Sequence, residues 1–325
     1  MGAQFSQFFP PRPTFTLSDV PSQQGKVVIV TGGASGIGQE LVRMLYQKGA
    51  TVYIAGRSEP HAQAAIQAIQ ARTTTTGGQL YYLPLHLDDL TTIKSTVTAF
   101  ASRESRLDLL INNAGVSQPP LGSVSAQGIE LQIATNCLGP FLLTQLLLPF
   151  LTAAATANNE SSPAPRVIWT SSQVAELSAP PEGIILSELR DPPRDAVRNY
   201  VTSKLGNWFL SVEFARRYRD AGLVSVAQNP GAANTNLLRN ARWMKLLSWP
   251  LLYSPVLAAH TALFAAVAEE LDKPDNNGAY VIPWGRLHPG VAPNLARHLA
   301  PAEEGGTGRA GEFWKWCAER TRDFL

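Results

Sequence analysis

The sequence predicts an α/β protein, a single doubly wound domain of about seven parallel strands with helices on both faces. Two observations carry this prediction. Short apolar runs alternate with longer segments that place apolar residues at helical spacing. The first run, 27–31, also leads directly into a glycine-rich turn. A composition of 45% hydrophobic and 16% charged residues over 325 positions allows a large core.

The elements follow in order along the chain. Strands are predicted where aliphatic and β-branched residues cluster between turn residues, at 27–31, 51–55, 80–85, 107–112, 166–170, 223–228 and 279–282. Helices are predicted between them, at about 36–48, 60–71, 90–103 and 126–155, and from Tyr200 to about 219. Right-handed crossovers then bring ligands to the carboxyl ends of the strands.

The domain is expected to cover 25–285. Residues 1–24 hold phenylalanines among prolines and predict an extended arm that lies on the domain with its apolar side inward. Residues 286–325 form a tail, in which Phe313, Trp314 and Trp316 indicate an aromatic helix. Two segments are interpreted as walls of a substrate pocket: the Pro-rich insert 173–199, and the apolar stretch 236–256, which is expected to form a lid.

Charge and cysteine content exclude several classes of protein. A net charge of +2 without a dense basic stretch argues against nucleic-acid binding. Cys137 and Cys317 lie too far apart to suggest a disulfide framework, and no metal spacing is present, so a reducing, cytoplasmic compartment is expected.

Membrane signals in the sequence are weak. The apolar stretch 138–157 contains two prolines between candidate strands, and it is interpreted as a buried helix rather than a transmembrane segment. The start, Met1-Gly2 with Ser6, fits an acylation motif, and acylation of Gly2 would allow weak membrane contact.

The turn after the first strand predicts a dinucleotide site. Gly32 and Gly36 permit backbone angles that a Cβ would bar, and Gly38 lets the following helix pack tightly on the strand. The free N–H groups of that helix, together with its dipole, favour a pyrophosphate. The predicted contacts are Gly32, Ser35, Gly36, Ile37 and Gly38. A dinucleotide site between a buried strand and a helix is typical of a Rossmann domain, which the sequence therefore predicts.

The residue after the second strand indicates which dinucleotide binds. A carboxylate at this position would accept a hydrogen bond from the ribose 2′-hydroxyl and select NAD. The chain instead has Arg57, whose guanidinium can bind a 2′-phosphate through two hydrogen bonds. The sequence therefore predicts NADP.

Tyr200 and Lys204 are four residues apart, which places them on one face of a helix. A tyrosine is a poor base at neutral pH, but a nearby ammonium group favours the phenolate and is expected to lower the pKa of Tyr200. Such a pair suits general acid–base chemistry on an alcohol or a carbonyl.

Taken together, these motifs resemble the short-chain dehydrogenase/reductase family over about 25–285. The resemblance rests on the Gly-x-x-x-Gly-x-Gly turn, Asn112-Asn113-Ala114-Gly115, Tyr-x-x-x-Lys and the Pro-Gly-x-x-x-Thr loop from Pro230, in the family's order. The arm and the tail are most similar to the retinol-dehydrogenase-like and WW-domain-oxidoreductase-like branch, especially to fungal members tied to secondary metabolism.

The resemblance implies roles for further residues. Ser172, with Ser171 as the alternative, would hold the substrate oxygen, and Asn136 would support a proton-relay water near Lys204. Lys204 would also bind the nicotinamide ribose. Asp88, or His86 in a different register, would contact adenine. The remaining cofactor contacts would come from Asn113, Ala114, Gly115, Pro230, Gly231 and Thr235.

The implied function is NADP-dependent reduction of a ketone or aldehyde, or oxidation of the alcohol, on a hydrophobic or aromatic small molecule in biosynthesis. Two alternatives stay open: a cofactor-binding scaffold without turnover, and a family member recruited to a non-redox cyclisation. Relatives often form oligomers through the helices after the fourth and fifth strands, which the arm or the tail could block.

Overall fold

The structure is a computed structural model and describes residues 2–74, 77–158, 163–235 and 252–325. Its strands are β1 Val27–Thr31, β2 Thr51–Gly56, β3 Gln79–Pro84, β4 Leu109–Asn112, β5 Arg166–Thr170, β6 Val224–Gln228, β7 Tyr280–Ile282 and β8 Arg286–Leu287. The main helices are α1 Gly2–Phe8, α2 Gly36–Gln47, α3 Glu59–Ala71, α4 Ile93–Ala101, α5 Leu131–Ala157, α6 Val174–Leu177, α7 Ala196–Arg217, α8 Pro255–Val267, α9 Pro293–Leu299 and α10 Arg309–Thr321.

One sheet runs through the molecule in the order β3-β2-β1-β4-β5-β6-β7-β8. Strands β1 to β7 pair in parallel, as the sequence predicts, and the short β8 adds an antiparallel edge to β7. The strand order reverses between β1 and β4, and an open α/β sheet offers its ligand crevice at such a reversal. The doubly wound architecture is therefore confirmed.

The core is divided into two layers by the sheet, because successive side chains of a strand point to opposite faces. On β1, Val27 and Ile29 pack into one layer, while Val28 and Val30 pack into the other. The first layer is covered by α4, α5, α7 and α10, and the second by α2, α3 and α8. Both faces are thus apolar, which explains why the strands lack a polar alternation.

Helix α5 carries the longest apolar stretch of the chain. Within the described residues it is the one helix long and apolar enough to cross a membrane, and 61% of its most apolar window is buried inside the domain. It packs in the core beneath the sheet, as the sequence predicts for this stretch. A π-helical turn, Ala134–Leu138, interrupts it near its beginning, and such turns are frequent at functional sites.

The N-terminal arm differs from its prediction in conformation and in orientation. Residues 2–8 form helix α1 rather than an extended segment. Phe5 and Phe9 are 66% and 52% exposed, whereas Gln7 is 1% exposed. Phe15 follows the expectation, since it packs edge-on against Phe264 at 5.4 Å between ring centroids. The first turns of the arm therefore bury a polar side chain and leave aromatic ones outside.

The C-terminal tail contains the aromatic helix that the sequence indicates. On α10, Phe313 is fully buried, and Trp314 meets Phe141 of α5 edge-on with ring centroids 4.9 Å apart. Helix α10 lies closely on α7 at Gly206, where an added Cβ would meet the Phe313 ring at 2.8 Å and Cys137 Sγ at 2.9 Å. The tail thus covers part of the surfaces of α5 and α7.

This contact yields a stability prediction. Gly206→Ala is expected to lower the free energy of unfolding by about 1–3 kcal/mol, because the buried ring cannot yield without disturbing its own packing. Urea denaturation followed by circular dichroism measures the change.

Gly311→Ala is the matched control on α10. Its Cβ would approach Glu213 no closer than 3.5 Å, so the better helix propensity of alanine should raise stability by up to about 1 kcal/mol. Equal effects of the two substitutions would contradict the close packing of α10 on α7.

Candidate active site

A cavity of about 670 Å³ opens at the carboxyl ends of the central strands. Its wall brings together residues predicted from widely separated motifs: Gly32, Ser35, Gly36, Ile37, Gly38, Arg57, Asp88, Asn113, Ala114, Gly115, Ser172, Tyr200, Lys204, Pro230, Gly231 and Thr235. Asn136 lies behind this wall, against the loop that follows β4. The volume of the cavity lies in the range that is typical of cofactor and small-molecule sites.

The glycine turn packs so closely against neighbouring parts of the chain that it has little room for side chains. Gly32 and Gly36 adopt φ values of +67° and +57°, as the sequence predicts. A Cβ on Gly38 would lie 2.5 Å from the Gly32 carbonyl oxygen and 2.7 Å from Asn113 Nδ2. Gly38 is therefore required by the close approach of α2 to the ends of β1 and β4.

Strands β1 and β4 are joined at their carboxyl ends by side-chain hydrogen bonds. Thr31 Oγ1 accepts the backbone N–H groups of Asn113 and Ala114, each at 2.9 Å, and donates to the Ile111 carbonyl. Asn113 Nδ2 donates in turn to the Thr31 carbonyl at 2.9 Å. The Asn113 amide nitrogen thus supports the turn, while its neighbours Ala114 and Gly115 line the cavity.

The adenosine end predicted from β2 and β3 contains an ion pair. Arg57 Nη1 lies 3.5 Å from Asp88 Oδ2, with the two side chains 56% and 30% exposed. Both residues line the cavity, whereas His86 is exposed on the adjacent surface. The structure thus brings Asp88 to this end of the cavity, beside the arginine, whose partly exposed guanidinium remains accessible to an anion.

Ser172, Tyr200 and Lys204 converge at the other end of the cavity. The Ser172 hydroxyl lies beside the phenol of Tyr200, close enough to affect its ionisation. Lys204 Nζ lies 5.7 Å from the centre of the Tyr200 ring and donates to the Thr170 carbonyl at 2.9 Å. Ser171, the alternative to Ser172, donates instead to the Lys204 carbonyl at 2.8 Å. The structure therefore places Ser172 beside the phenol, whereas Ser171 hydrogen-bonds to the helix that carries Tyr200 and Lys204.

Comparisons with known proteins agree with this arrangement. Residues 26–183 match the short chain dehydrogenase family. The short-chain dehydrogenase/reductase iacJ of Pestalotiopsis fici is 45% identical over 320 residues, which cover 96% of this chain and 95% of that protein. The chain belongs to the short-chain dehydrogenase/reductase family. This confirms the family predicted from the motifs, while the retinol-dehydrogenase-like branch stays a prediction.

Solved structures support the same conclusion. An uncharacterized protein from Mycobacterium Paratuberculosis is 29% identical with a TM-score of 0.68, and the match covers 95% of this chain and 97% of that one. The NADP active-site complex of Pseudomonas aeruginosa RhlG is 25% identical with a TM-score of 0.61, over 82% of this chain and 98% of that one. Both solved structures thus share the fold of this chain.

The electrostatics of this dehydrogenase site differ from the expectation for Tyr200. Burial raises the pKa of Tyr200, and the neighbouring Ser172 hydroxyl only partly opposes the increase. Burial also lowers the pKa of Lys204 to about 8. The prediction that Lys204 lowers the tyrosine pKa is thus wrong for the net direction, because desolvation of the buried phenol is the largest influence on that pKa. A tyrosine that stays protonated is suited to donate a proton.

Asn136 occupies the π-helical turn of α5. Its side chain pairs with the Val116 backbone, with Oδ1 accepting from the N–H group at 2.8 Å and Nδ2 donating to the carbonyl at 3.0 Å. Nδ2 also donates to Ser203 Oγ at 2.9 Å. A Cβ on Gly115 would lie 3.0 Å from Asn136 Oδ1 and 3.5 Å from Lys204 Nζ. Asn136 therefore positions the loop beside Lys204, and its role in proton relay remains a prediction.

Other parts of the predicted substrate wall are only partly described. Most of the predicted lid, 236–251, lies outside the described residues, while Leu252 lines the cavity. The insert contributes Val174 and Val197 to the wall. Arg198 and Glu188 hold the insert with two hydrogen bonds of 2.9 and 2.8 Å.

Sequence reasoning missed Phe8, which reaches the cavity from α1. An aromatic residue in a proline-rich arm gives no signal of its direction, so the sequence held no means of finding it. His260 hydrogen-bonds through Nδ1 to the Val256 carbonyl one turn earlier in α8.

The buried lysine leads to a stability prediction. The pKa of Lys204 falls from 10.5 to about 8 on folding, so between these values the unfolded chain binds more protons, and the charge destabilises the fold at lower pH. Lys204→Met should abolish activity and raise the free energy of unfolding at pH 7 by up to about 3 kcal/mol. Asn207 Nδ2 still donates to the Thr170 carbonyl.

Urea denaturation at pH 7 and at pH 10.5 measures this difference. The advantage of the variant should shrink as pH rises from about 8 towards 10.5, because the parent then loses its buried charge. Lys94→Met, at an exposed position, is the control and should show no such pH dependence. An advantage of Lys204→Met that is the same at both pH values would contradict the prediction.

Proposed function

We propose that the protein is an NADP-dependent oxidoreductase that reduces a ketone or aldehyde of a hydrophobic small molecule, or oxidises the corresponding alcohol. The observation that carries the proposal is the placement of Ser172 beside Tyr200 in the wall of a largely apolar cavity, with Lys204 Nζ 5.7 Å from the centre of the tyrosine ring. A phenol and a hydroxyl at one point can bind and protonate one carbonyl oxygen. The cytoplasmic location proposed from composition fits two buried, free cysteine thiols.

The residues present fit a nicotinamide dinucleotide. The turn at Gly32, Gly36 and Gly38 leaves little room for side chains, and the N-terminus of α2 opens onto the cavity, where its N–H groups would hold a pyrophosphate. Arg57 would hold a 2′-phosphate, and Asp88 beside it would contact adenine. The NADP complex of the relative RhlG supports this choice of cofactor. Pro230, Gly231 and Thr235 would meet the nicotinamide end.

A mechanism follows from the positions of the side chains. The bound reduced cofactor would supply a hydride to the carbonyl carbon. Ser172 holds the carbonyl oxygen, and Tyr200 transfers its phenolic proton to that oxygen, which balances the hydride and leaves an alcohol. Tyr200 then recovers a proton from water. Lys204, charged below about pH 8, stabilises the transient phenolate and would bind the ribose hydroxyl groups.

The substrate class is inferred from the wall that surrounds the phenol. Val116, Val174, Val197, Leu252 and Phe8 are apolar and line the cavity. Such a wall favours an aliphatic or aromatic body next to the reacting carbonyl. A role in biosynthesis fits the similarity to fungal family members. Acylation of Gly2, which is exposed, remains a proposal for weak membrane contact.

The proton-donor role makes a direct prediction. Tyr200→Phe should reduce carbonyl turnover by about two to four orders of magnitude, because the proton donor is lost while the ring remains. NADPH absorbance at a saturating carbonyl concentration measures the rate, and fluorescence titration should show that NADPH still binds.

Tyr218→Phe is the matched control. Its hydroxyl donates to Gln145 on α5, away from the cavity, and its turnover should equal that of the parent. Substantial reduction by Tyr200→Phe would refute the proposed mechanism. NADPH binding without turnover by the parent, across a broad carbonyl panel, would favour the scaffold alternative.

Coenzyme choice is tested at Arg57. Arg57→Ala should weaken NADPH binding by about tenfold or more and leave NADH binding unchanged, because the charge-assisted hydrogen bonds to the 2′-phosphate are lost. Arg72→Ala is a matched control, because Arg72 has a similar exposure, 57%, and pairs with Glu40. Equal affinities of the parent for NADPH and NADH would overturn the assignment of NADP.

A further inference from the structure

Helix α1 is attached to the active-site domain through one buried amide. Gln7 is 1% exposed. Its Nε2 donates to Glu176 Oε2 at 2.8 Å, and its Oε1 accepts from Asn229 Nδ2 at 2.8 Å. Glu176 lies four residues after Ser172, and Asn229 directly precedes Pro230. Gln7 therefore bridges helix α6 and the loop after β6, which both border the proposed reaction centre.

The hydrogen bonds of this bridge all run in one direction. The Gly231 N–H group donates to Asn229 Oδ1 at 3.0 Å, Asn229 donates to Gln7, and Gln7 donates to Glu176. The last amide in this series, that of Gln7, donates to Glu176, and an ionised carboxylate can only accept hydrogen bonds. Burial alone would raise the pKa of Glu176, but hydrogen bonds from His288 and Gln7, among others, hold it below its usual value.

His288 completes the far end of the bridge. The Gly290 N–H group donates to His288 Nδ1 at 3.2 Å, so the ring carries its hydrogen on Nε2 and donates it to Glu176 Oε1, also at 3.2 Å. The carboxylate thus receives one hydrogen bond from the domain and another from the arm, each on a different oxygen. The position of α1 is therefore determined by the donor and acceptor directions of these hydrogen bonds as well as by the shapes of the packed surfaces.

The backbone of α1 is held by three further segments. Arg286 Nη2 donates to the Ser6 carbonyl at 2.8 Å, and Tyr253 Oη donates to the Phe8 carbonyl at 3.0 Å. Gln173 Nε2 donates to the Gln4 carbonyl at 3.2 Å. These contacts flank Gln7 on both sides and set the direction of the next side chain, Phe8.

Phe8 lines the cavity, together with Val174, Val197 and Leu252. The nearby Phe5 and Phe9 do not share this role, because their rings contact each other at a tilt, 5.1 Å between centroids, and are mostly exposed. The segment lies before residue 26, where the match to the family begins. Phe8 therefore lies outside the region that matches the family model.

We propose that Phe8 determines substrate specificity by contacting the apolar body of the substrate, and that Gln7 is the positioning residue that holds it there. The inference rests on the proposed function, since it assigns one wall of the same pocket. A carbonyl compound with a broad aromatic body gains the Phe8 contact, whereas a small aliphatic aldehyde does not reach it.

Calorimetry with the NADP⁺-loaded protein tests the contact without turnover, using 2-naphthaldehyde as the probe. Phe8→Ala should weaken its binding by about tenfold or more, because the apolar contact with the phenyl ring is lost. Phe5→Ala, on the exposed side of the same helix, is the matched control and should bind like the parent. Equal binding by the two variants would overturn the role of Phe8.

Steady-state kinetics separates the contact from a general defect. In Phe8→Ala, the ratio of kcat/KM for 2-naphthaldehyde over propanal should fall about tenfold, mainly through KM, while NADPH affinity stays unchanged. A parallel loss for both aldehydes would overturn the specificity role. Absence of binding and turnover in the parent would instead overturn the substrate pocket, and with it both proposals.

A double-mutant cycle tests the positioning role of Gln7. Gln7→Glu places two carboxylates against each other and should raise KM for 2-naphthaldehyde about tenfold. Gln7→Glu combined with Glu176→Gln reverses that link of the bridge: Asn229 and the new amide at 176 both donate to the carboxylate at 7, and His288 still donates to position 176. The combination should restore KM to within about twofold of the parent. Failure of the combination to recover KM, with the protein still folded by circular dichroism, would overturn the positioning role.

Discussion

The Thr170 carbonyl at the end of β5 is the point on which the active site depends. It accepts two buried hydrogen bonds, from Lys204 Nζ and from Asn207 Nδ2. Ser171 next to it returns a hydrogen bond to the Lys204 carbonyl. These bonds hold α7 against the strand that carries Ser172, and they therefore set the distance between the serine and Tyr200. If these hydrogen bonds were not formed, buried polar groups would be left without partners, at a cost in free energy.

The same principle organises the rest of the cavity. Thr31 and Asn113 join β1 to β4 where the cofactor would bind, and Gln7 joins α6 to the loop after β6 where the substrate would bind. Apolar packing supplies most of the stability of the two core layers, but it is tolerant of small shifts. Buried, directional hydrogen bonds exclude alternative arrangements, and they occur here around the residues whose positions matter for chemistry.

The fold and the cofactor end could be predicted because their signals are local. A buried strand is a run of apolar residues, and Gly32 and Gly36 are required by positive φ angles within a single turn. The substrate end could not be predicted in the same way. Gln7 is 169 and 222 residues from its two partners, Glu176 and Asn229, so nothing in the arm indicates that its polar side chain is the buried one.

The sequence by itself determined the doubly wound sheet, the glycine turn and the placement of Tyr200 and Lys204 on one helix face. Each of these follows from residues a few positions apart, whose relative geometry is fixed by a single strand, turn or helix. Only the tertiary structure decided the net direction of the Tyr200 pKa and the presence of Phe8 in the wall. Both depend on burial, which is produced by segments that meet only when the chain has folded.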